Sequence, residues 1–248
     1  MALASNLEPM SDDERLAEQV KALNDRAGTL KYFDCPVCKN RGDIAVVDDG
    51  RVLIKECSCM PKRRTMKRMK ESGLENVITR YTFKAFRPVE EWQEQAKELC
   101  ENYSKSPNGW LVMCGSPGTG KTHLCTAVCG SLIKQGMDVR YFLWRTNAPT
   151  LKALANSADY EDAVRVYKQV KVLYIDDFFK GSITDADINL AFDILNARYN
   201  RTDLITIISS EMTIERIMEK DEALASRIYE RTKVYIRTEG RKNWRLNS

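Results

Sequence analysis

The stretch GSPGTGKT at residues 115–122 constrains the fold of this chain more than any other part of the sequence. It fits the pattern G-x-x-x-x-G-K-[ST], in which glycines allow backbone N–H groups to surround a phosphate and a helix N-terminus adds positive potential. The apolar run WLVMCG precedes it, and an amphipathic segment follows it. Because this order of strand, loop and helix is the context that the pattern requires, the sequence predicts a phosphate-binding loop in an α/β domain.

Apolar runs of strand length alternate with helical segments from residue 109 onward. The runs are WLVMCG, DVRYFLW, VKVLYIDD, LITIISS and KVYIR. This alternation predicts a parallel sheet that has helices on both faces. The runs are too short to span a bilayer, and residues 1–16 have neither the basic start nor the apolar core of a signal peptide. We therefore expect a cytoplasmic protein without membrane association.

The phosphate-binding loop and the start of its helix form the predicted nucleotide site. Lys121 is expected to reach the β- and γ-phosphates, and the Thr122 hydroxyl is expected to bind Mg²⁺. His123, the only histidine of the chain, follows directly and is expected to have a structural role. The residues predicted to surround the nucleotide are Gly115, Ser116, Pro117, Gly118, Thr119, Gly120, Lys121, Thr122 and His123.

The run VLYIDD ends in two acidic residues, where a strand would reach the phosphate-binding loop. Asp176 is expected to hold Mg²⁺ through its water shell, and Asp177 to orient or deprotonate the attacking water. Many ATPases with this arrangement have glutamate at the second position, and aspartate is shorter by one methylene. We therefore hypothesise slow, switch-like hydrolysis.

Two further segments supply candidates for the same site. At the end of TIISSE, Ser209, Ser210 or Glu211 is a candidate to contact the γ-phosphate, with Ser210 preferred; a polar strand end without a catalytic role fits this pattern equally well. In LASRIYERT, Arg227 and Arg231 lie near a helix end, where an arginine can complete the active site of a neighbouring subunit. Two arginines on a solvated helix face would give the same sequence.

Four cysteines have the spacing of metal ligands. Cys35 and Cys38 form C-x₂-C, Cys57 and Cys59 form C-x-C, and a predicted hairpin, DIAVVDDGRVLIKEC, connects the pairs. Without a secretory signal a disulfide framework is disfavoured, and two close pairs of soft ligands suit tetrahedral Zn²⁺. A redox pair or four unliganded cysteines are the alternatives. The other four cysteines lie among apolar residues and are expected in the core.

A basic run follows the second cysteine pair and contains no acidic residue. Its members are Lys62, Arg63, Arg64, Lys67, Arg68 and Lys70. The run is expected to be helical, and to lie along a phosphate backbone, along an acidic partner, or in solvent. We predict two domains: an N-terminal helix, the zinc-binding module and the basic linker at residues 1–80, and an ATPase domain at residues 81–248.

The motifs GSPGTGKTHL, VLYIDDFFKG, NARYN, TIISSE and ASRIYER together resemble the AAA+ ATPases of the DnaC/DnaI type, the replicative helicase loaders of bacteria and phages. The segments CPVCKNRG, CSCMPKRR, SGL and YTFKAF resemble the zinc-containing N-terminal part of DnaI-like loaders and their phage relatives. The resemblance covers about residues 31–245, and the cysteine segments make it more specific than the phosphate-binding loop alone.

The resemblance implies an AAA+ P-loop fold whose five-stranded parallel sheet has the order 5-1-4-3-2, preceded by a small zinc-binding α+β module. It implies ATP, Mg²⁺ and Zn²⁺ as cofactors. It also implies single-stranded DNA, a replicative ring helicase and further copies of the chain as partners. On this match Arg227 is a finger that acts in trans. Trp144 and Arg145 match a segment that touches DNA in related proteins, although a tryptophan at a strand end is more often part of the core.

Two features of the sequence, one residue and the C-terminal tail, depart from the pattern of the relatives. Glu211 stands where many have asparagine, and the short tail GRKNWRLNS leaves little room for a C-terminal lid, so that a sensor role for Arg241 or Arg245 is not expected. Two alternatives to a helicase loader remain open. One is a transposition helper ATPase of the IstB type that assembles on duplex DNA. The other is a zinc-based nucleic-acid-binding adaptor whose nucleotide site is structural.

Overall fold

The computed structural model describes residues 10–71 and 75–244. The segment SGL at 72–74, Arg245 and most of the stretch examined for a signal peptide lie outside these residues. The chain forms two compact units, residues 1–64 and 65–248.

The first unit begins with the helix α1 (Asp12–Asn24). The Ser11 side chain accepts a hydrogen bond from the Glu14 N–H, and the Glu14 carboxylate accepts one from the Ser11 N–H at 2.8 Å. This reciprocal pair is a capping box, which the sequence SDDE at residues 11–14 favours. The helix α2 (Met60–Glu71) starts directly after the second cysteine pair.

A hairpin connects the two cysteine pairs, as the sequence predicts. The strands β1 (Asp43–Asp48) and β2 (Arg51–Glu56) pair antiparallel. Asp49 and Gly50 form the turn between them, and both have positive φ. Two such residues in succession give the backbone twist that a two-residue hairpin turn requires, which explains the sequence DDG at this place.

The second unit contains a five-stranded parallel sheet. Its strands are β3 (Trp110–Cys114), β4 (Val139–Leu143), β5 (Val172–Phe178), β6 (Ile205–Ser210) and β7 (Thr232–Arg237). Their order across the sheet is β4-β5-β6-β3-β7. Counted with β3 as the first strand and read from β7, this is the order 5-1-4-3-2, which confirms the predicted AAA+ topology.

Helices precede and connect these strands and cover both faces of the sheet. They are α3 (Glu75–Arg80), α4 (Glu91–Lys105), α5 (Lys121–Lys134), α6 (Trp144–Ala153), α7 (Tyr160–Gln169), α8 (Asp185–Tyr199), α9 (Ile214–Met218) and α10 (Glu222–Arg231). Within residues 10–71 and 75–244, no helix has the length and hydropathy needed to cross a membrane.

The alternation of side chains along β3 divides the core between the two sheet faces. Trp110 and Val112 pack in a cluster with residues of α6, α8 and α10, whereas Leu111 and Met113 pack in a second cluster with residues of α4 and α5. Every residue of β3 is buried, as expected for a central strand of a parallel sheet. The remaining cysteines, Cys100, Cys114, Cys125 and Cys129, lie in these clusters, which confirms their expected burial.

The boundary between the units differs from the one that the sequence suggested at residue 80. Met66, Val77 and Ile78 pack against the cluster that includes α4 and α5. The segment between the basic run and α4 is therefore not a plain connector, since it contains α3 and helps to bury the ATPase core. Apolar packing of this kind assigns residues 65–80 to the second unit.

Trp144 is part of the core of the second unit. It is 4% exposed and packs edge-to-face on Phe178 and Phe179, with ring centroids 4.9 and 5.1 Å away. The interpretation that the sequence favoured for this tryptophan is confirmed, and the alternative of DNA contact is wrong for it. Arg145, the next residue, is exposed.

Candidate nucleotide and metal sites

The phosphate-binding loop connects β3 to α5. Gly115 and Gly120 have φ of 121° and 98°, which is the left-handed region that favours glycine. A Cβ atom at Gly115 would lie 2.3 Å from Glu239 N, so the close approach of the chain after β7 also requires glycine there. Gly120 precedes the first turn of α5 without a side-chain cap, which leaves the first N–H groups of the helix open to an anion.

Lys121 is folded back onto this loop. Its Nζ donates to the carbonyl oxygens of Gly115 and Ser116 at 2.9 and 2.7 Å. Burial lowers the pKa of Lys121, because a charged ammonium group is less stable out of water. An anion held by the loop would stabilise this buried cation, so the residues present fit a phosphate group.

Three hydroxyl groups converge on the carboxylate of Asp176. Thr122 Oγ1 donates to Oδ1 at 3.1 Å, and Tyr141 OH donates to Oδ2 at 2.9 Å. Ser209 Oγ also donates to Oδ1. Thr122 and Asp176 thus present neighbouring oxygen atoms, which are the ligands that Mg²⁺ prefers. Tyr141 is a site residue that the sequence analysis missed, because only the pairing of β4 with β5 brings it to Asp176.

A bulge at the end of β5 turns Asp177 out of the strand. The register between β5 and β6 shifts between Ile175 and Phe178. Asp177 itself has φ of 54°, a conformation that aspartate adopts more readily than most residues. Its N–H donates to Ser209 Oγ at 3.3 Å, so the turn is tied to the neighbouring strand. As a result Asp177 lines the cleft beside the phosphate-binding loop.

This cleft lies in the second unit and has a volume of about 290 Å³. Its volume is close to the lower end of the range of small-molecule pockets, about 300 Å³. It is lined by Tyr81, Pro117, Gly118, Gly120, Lys121, Thr122, His123, Asp177, Lys180, Glu211 and Trp244. The cleft therefore brings together the predicted loop residues, the predicted water-orienting carboxylate and several residues that the sequence analysis did not assign.

Lys180 is a cation among these additions. Its Nζ lies 2.9 Å from Glu211 Oε1 and 3.2 Å from Asp177 Oδ1. Burial alone would lower the pKa of Lys180, but the hydrogen bonds to Glu211 and Asp177 outweigh this effect and raise the pKa above its usual value. Its only signal in the sequence is its position three residues after Asp177, in the run DDFFKG.

Aromatic rings surround His123 at the edge of the cleft. The imidazole stacks on Tyr81 with centroids 4.7 Å apart and meets Phe86 edge-on at 5.1 Å. Its Nε2 lies 2.9 Å from Thr82 O, which makes it the N–H donor. Burial lowers the pKa of His123 and favours the neutral ring. A neutral imidazole packed against two aromatic rings fits the structural role expected for His123.

The C-terminal tail also reaches the phosphate-binding loop. The backbone N–H of Trp244 donates to Gly118 O at 3.1 Å, and Trp244 lines the cleft. Arg241 lies over the ring of Trp92, with 5.5 Å between its guanidinium carbon and the ring centroid, and does not line the cleft.

Ser210 and Arg227 do not line the cleft of their own chain. Ser210 Oγ donates to Phe178 O at 2.7 Å and accepts from Met212 N at 3.0 Å, so it joins the ends of β5 and β6. Arg227 on α10 donates through Nε to Asn196 Oδ1 at 2.9 Å. Of the candidates at the end of β6, Glu211 is therefore the one that lines the cleft.

The four cysteines of the first unit form a buried cluster. The Sγ atoms of Cys35, Cys38, Cys57 and Cys59 all lie within 4.8 Å of one another. The Cys35–Cys57 and Cys38–Cys59 sulfur distances are 3.9 and 3.6 Å. Zn²⁺ with four sulfur ligands at about 2.3 Å in a tetrahedron separates the sulfurs by about 3.8 Å. The cluster therefore has the dimensions of a zinc site.

The electrostatics of this cluster also favour a bound cation. Burial raises the pKa of Cys59 to about 12. For Cys38, burial acts in the same direction, but the Gly42 N–H at 3.4 Å from its sulfur and the neighbouring thiols lower its pKa to about 6. One thiolate forms readily, whereas additional thiolates are disfavoured until a cation neutralises them.

Part of the basic run after the cysteines belongs to the packing of the first unit. Arg63 is 4% exposed and donates to Phe33 O at 2.8 Å. The Lys62 ammonium lies 4.1 Å from the centroid of the Phe33 ring, and Arg64 forms an ion pair with Glu56. The prediction that the run lies in solvent or along a partner is therefore wrong for Arg63, whose guanidinium is used to hold the loop before the first cysteine.

Comparison with known proteins assigns the chain to a family. Residues 48–237 match the family described as IstB-like ATP binding protein. The phage-like element PBSX protein XkdC of Bacillus subtilis (strain 168) is 32% identical over 219 residues, which cover 82% of this chain and 81% of that protein. The chain therefore belongs to the IstB-like ATP-binding family.

Solved structures resemble the ATPase unit. The DnaC helicase loader is 25% identical with a TM-score of 0.56, and the match covers 65% of this chain and 98% of that one. AMPPCP-bound DnaA from Aquifex aeolicus is 25% identical with a TM-score of 0.55, over 67% of this chain and 53% of DnaA, so the match spans about half of that protein. Together with the sheet order and the phosphate-binding loop, these matches identify the chain as an AAA+ P-loop ATPase.

Proposed function

We propose that this member of the IstB-like ATP-binding family is an ATP-switched loader that delivers a replicative ring helicase to single-stranded DNA. The observation that carries the proposal is the match to the DnaC helicase loader, 98% of whose chain is covered. The four-thiol cluster supports it, because it gives the chain a second folded unit that can dock a helicase or DNA while the ATPase unit changes state. We assign Zn²⁺ to this cluster.

In this function the ATP phosphates lie in the cleft beside the phosphate-binding loop. Lys121 exchanges the two loop carbonyls for phosphate oxygens. Thr122 and Asp176 would hold Mg²⁺, which would supply positive charge against the phosphates. Asp177 orients the attacking water. Because the Asp177 side chain is one methylene shorter than glutamate, it holds the attacking water less well, and we expect a turnover below about one per second in the isolated protein.

Arg227 acts on the next subunit of an assembly. The residue lies outside the cleft of its own chain, and its hydrogen bond to Asn196 holds the half-buried guanidinium against α8. An arginine that stabilises the transferring phosphoryl group can raise the rate by about 10³-fold or more. A site shared in this way hydrolyses ATP efficiently only after subunits have assembled, and single-stranded DNA is the expected scaffold.

The test is the ATPase rate of the full chain with and without single-stranded DNA. We expect DNA to stimulate the wild type and not the Arg227→Ala variant. Arg231→Ala is the matched control, since Arg231 lies one helical turn further along α10 and donates to the carbonyl of Arg201 at 3.3 Å. A flat, low rate that neither DNA nor Arg227→Ala changes would contradict the loader and favour the adaptor with a structural nucleotide site.

Mixing two inactive variants separates a shared site from a site within one chain. Asp177→Asn subunits lack the water-orienting carboxylate but carry Arg227, whereas Arg227→Ala subunits have an intact cleft. If the finger acts in trans, a mixture of the two recovers DNA-stimulated hydrolysis that neither has alone. Absence of recovery, with both variants folded and able to associate, would contradict action in trans.

The family match also favours a second candidate, a transposition helper ATPase of the IstB type. Such a protein would assemble on duplex DNA instead of a single strand. Stimulation by duplex DNA at least as strong as that by a single strand of equal length, together with no binding to a ring helicase, would support this candidate over the loader.

A further inference from the structure

Lys180 brings a second cation into the cleft without belonging to any recognised motif. A tight turn after β5 positions it: the Lys180 N–H donates to Asp177 O at 3.0 Å, and Asp177 and Phe179 both have positive φ. The turn reverses the chain, so that the Lys180 side chain returns to the strand end instead of pointing into solvent. Its side chain is 26% exposed and lines the cleft that also contains Lys121.

The Lys180 ammonium joins two carboxylates at the ends of neighbouring strands. Its Nζ lies 2.9 Å from Glu211 Oε1 and 3.2 and 3.3 Å from the two carboxylate oxygens of Asp177. An ammonium group has three N–H donors in a movable arrangement. Within residues 75–244 these three carboxylate oxygens match the three donors, so Lys180 must release Asp177 to donate to another oxygen atom in the cleft.

Glu211 makes such a cation necessary. Its carboxylate lines the cleft into which terminal phosphate oxygens would extend, and like charges at this range repel each other. Asp177 adds a second negative charge at the same place. Without Lys180, this end of the cleft would carry acidic groups where a triphosphate needs positive charge, while the other end would keep the phosphate-binding loop and Lys121.

We propose that Lys180 is a specificity-determining residue that contacts the γ-phosphate and makes the cleft prefer nucleoside triphosphates to diphosphates. The inference rests on the nucleotide site of the proposed function. In the free protein Lys180 neutralises Glu211 and Asp177. With a triphosphate bound, its ammonium bridges Glu211 and the terminal phosphate oxygens, which frees Asp177 to orient water. A diphosphate has no oxygens at this position and leaves the Lys180–Asp177 pair in place.

The test is the affinity of the full chain for a nonhydrolysable ATP analogue and for ADP, each with Mg²⁺, by titration calorimetry. In Lys180→Met the analogue should bind about 10- to 100-fold more weakly, as expected for loss of a hydrogen bond between charged groups, while ADP affinity stays within about twofold. Lys180→Arg should keep most of the preference. Lys152→Met is the matched control, because Lys152 also is 26% exposed and ion-paired, with Asp187, but does not line the cleft.

Other variants distinguish the ways in which the inference can fail. Equal weakening of both ligands, or of neither, in Lys180→Met would overturn it. So would full recovery of analogue binding in Lys180→Met/Glu211→Gln, since Lys180 would then serve only to neutralise Glu211. Lys121→Ala tests the nucleotide site itself: if this variant binds ADP and the analogue as tightly as the wild type, the proposed site is wrong irrespective of Lys180. Thermal unfolding verifies that each variant is folded, and Lys180→Gln replaces Lys180→Met if the latter is not.

Discussion

Replacing Tyr141 with phenylalanine removes a single oxygen atom from the support of Asp176. The Tyr141 OH donates to Asp176 Oδ2 at 2.9 Å, and both residues are buried. A hydrogen bond to a charged group contributes about 1.5–3 kcal/mol, and a buried acceptor that loses its donor has no water to replace it. We therefore expect the free energy of unfolding of Tyr141→Phe to fall by about 1.5–3 kcal/mol.

Tyr174 offers a matched control on the neighbouring strand. Its ring centroid is 5.3 Å from that of Tyr141, and it is fully buried. Its OH has no hydrogen-bond partner among the residues that the structure describes. Tyr174→Phe removes the same atom without breaking a hydrogen bond, so the free energy of unfolding should stay the same or rise by about 1 kcal/mol.

Urea unfolding of the two variants and the wild type measures this difference, and kcat/KM for MgATP tests its effect on function. If poorer orientation of Asp176 costs about 1.4 kcal/mol of transition-state stabilisation, kcat/KM of Tyr141→Phe falls roughly tenfold. The kcat/KM of Tyr174→Phe should match that of the wild type. Equal losses of stability in both variants would refute the reasoning, because they would assign the effect to ring packing. Unchanged stability in Tyr141→Phe would refute it as well.

Three further predictions concern other parts of the chain. Metal analysis should find about one Zn²⁺ per chain, and Cys57→Ser should lose it while ATP binding by the second unit persists; retention of zinc would contradict the four-thiol site. Arg198→Met should lower the free energy of unfolding by about 3 kcal/mol or more, because the fully buried Arg198 guanidinium donates hydrogen bonds to Thr206 Oγ1 and several carbonyls. Urea unfolding measures this loss, and the exposed control Arg201→Met should lose under about 0.5 kcal/mol. Burial lowers the folded-state pKa of His123, so the free energy of unfolding should decrease as pH falls below about 6.5. His123→Gln should flatten this pH dependence, and an unchanged dependence in the variant would contradict the prediction.

Much of the fold follows from local sequence patterns, because its determinants are themselves local. The glycines of the phosphate-binding loop, the alternation of strand and helix and the capping box at Ser11 each specify a conformation within a few residues. The strand order was predicted from the family resemblance alone, because the sequence of a single strand does not specify which strands it pairs with. The boundary at residue 64 was missed because apolar residues in a short segment do not indicate which core they join.

The site was less predictable where it depends on register and backbone conformation. Tyr141 reaches Asp176 only because β4 pairs with β5 in a particular register, with Leu143 opposite Asp176. Lys180 reaches Asp177 only because of two positive φ angles, which a run such as DDFFKG does not reveal. The candidate Ser210 failed to reach the cleft for a similar reason, since the alternation along β6 and its bond to Phe178 turn the hydroxyl away.

The composition of the first unit makes its folding depend on the four thiols. Within its described residues, the buried apolar side chains are the four cysteines and Ala45, and α1 buries none of its residues. The Asn24 side chain ties α1 to both the N–H and the carbonyl of Ala45, at 2.9 Å each, so polar contacts replace a core here. Such a unit has too little apolar burial to offset chain entropy, whereas a structural zinc ion contributes about 10 kcal/mol or more. With Zn²⁺ bound as we propose, formation of the unit and binding of the metal would be one event. It follows that chelation should unfold this unit while the ATPase unit, which has a core on both faces of its sheet, stays folded.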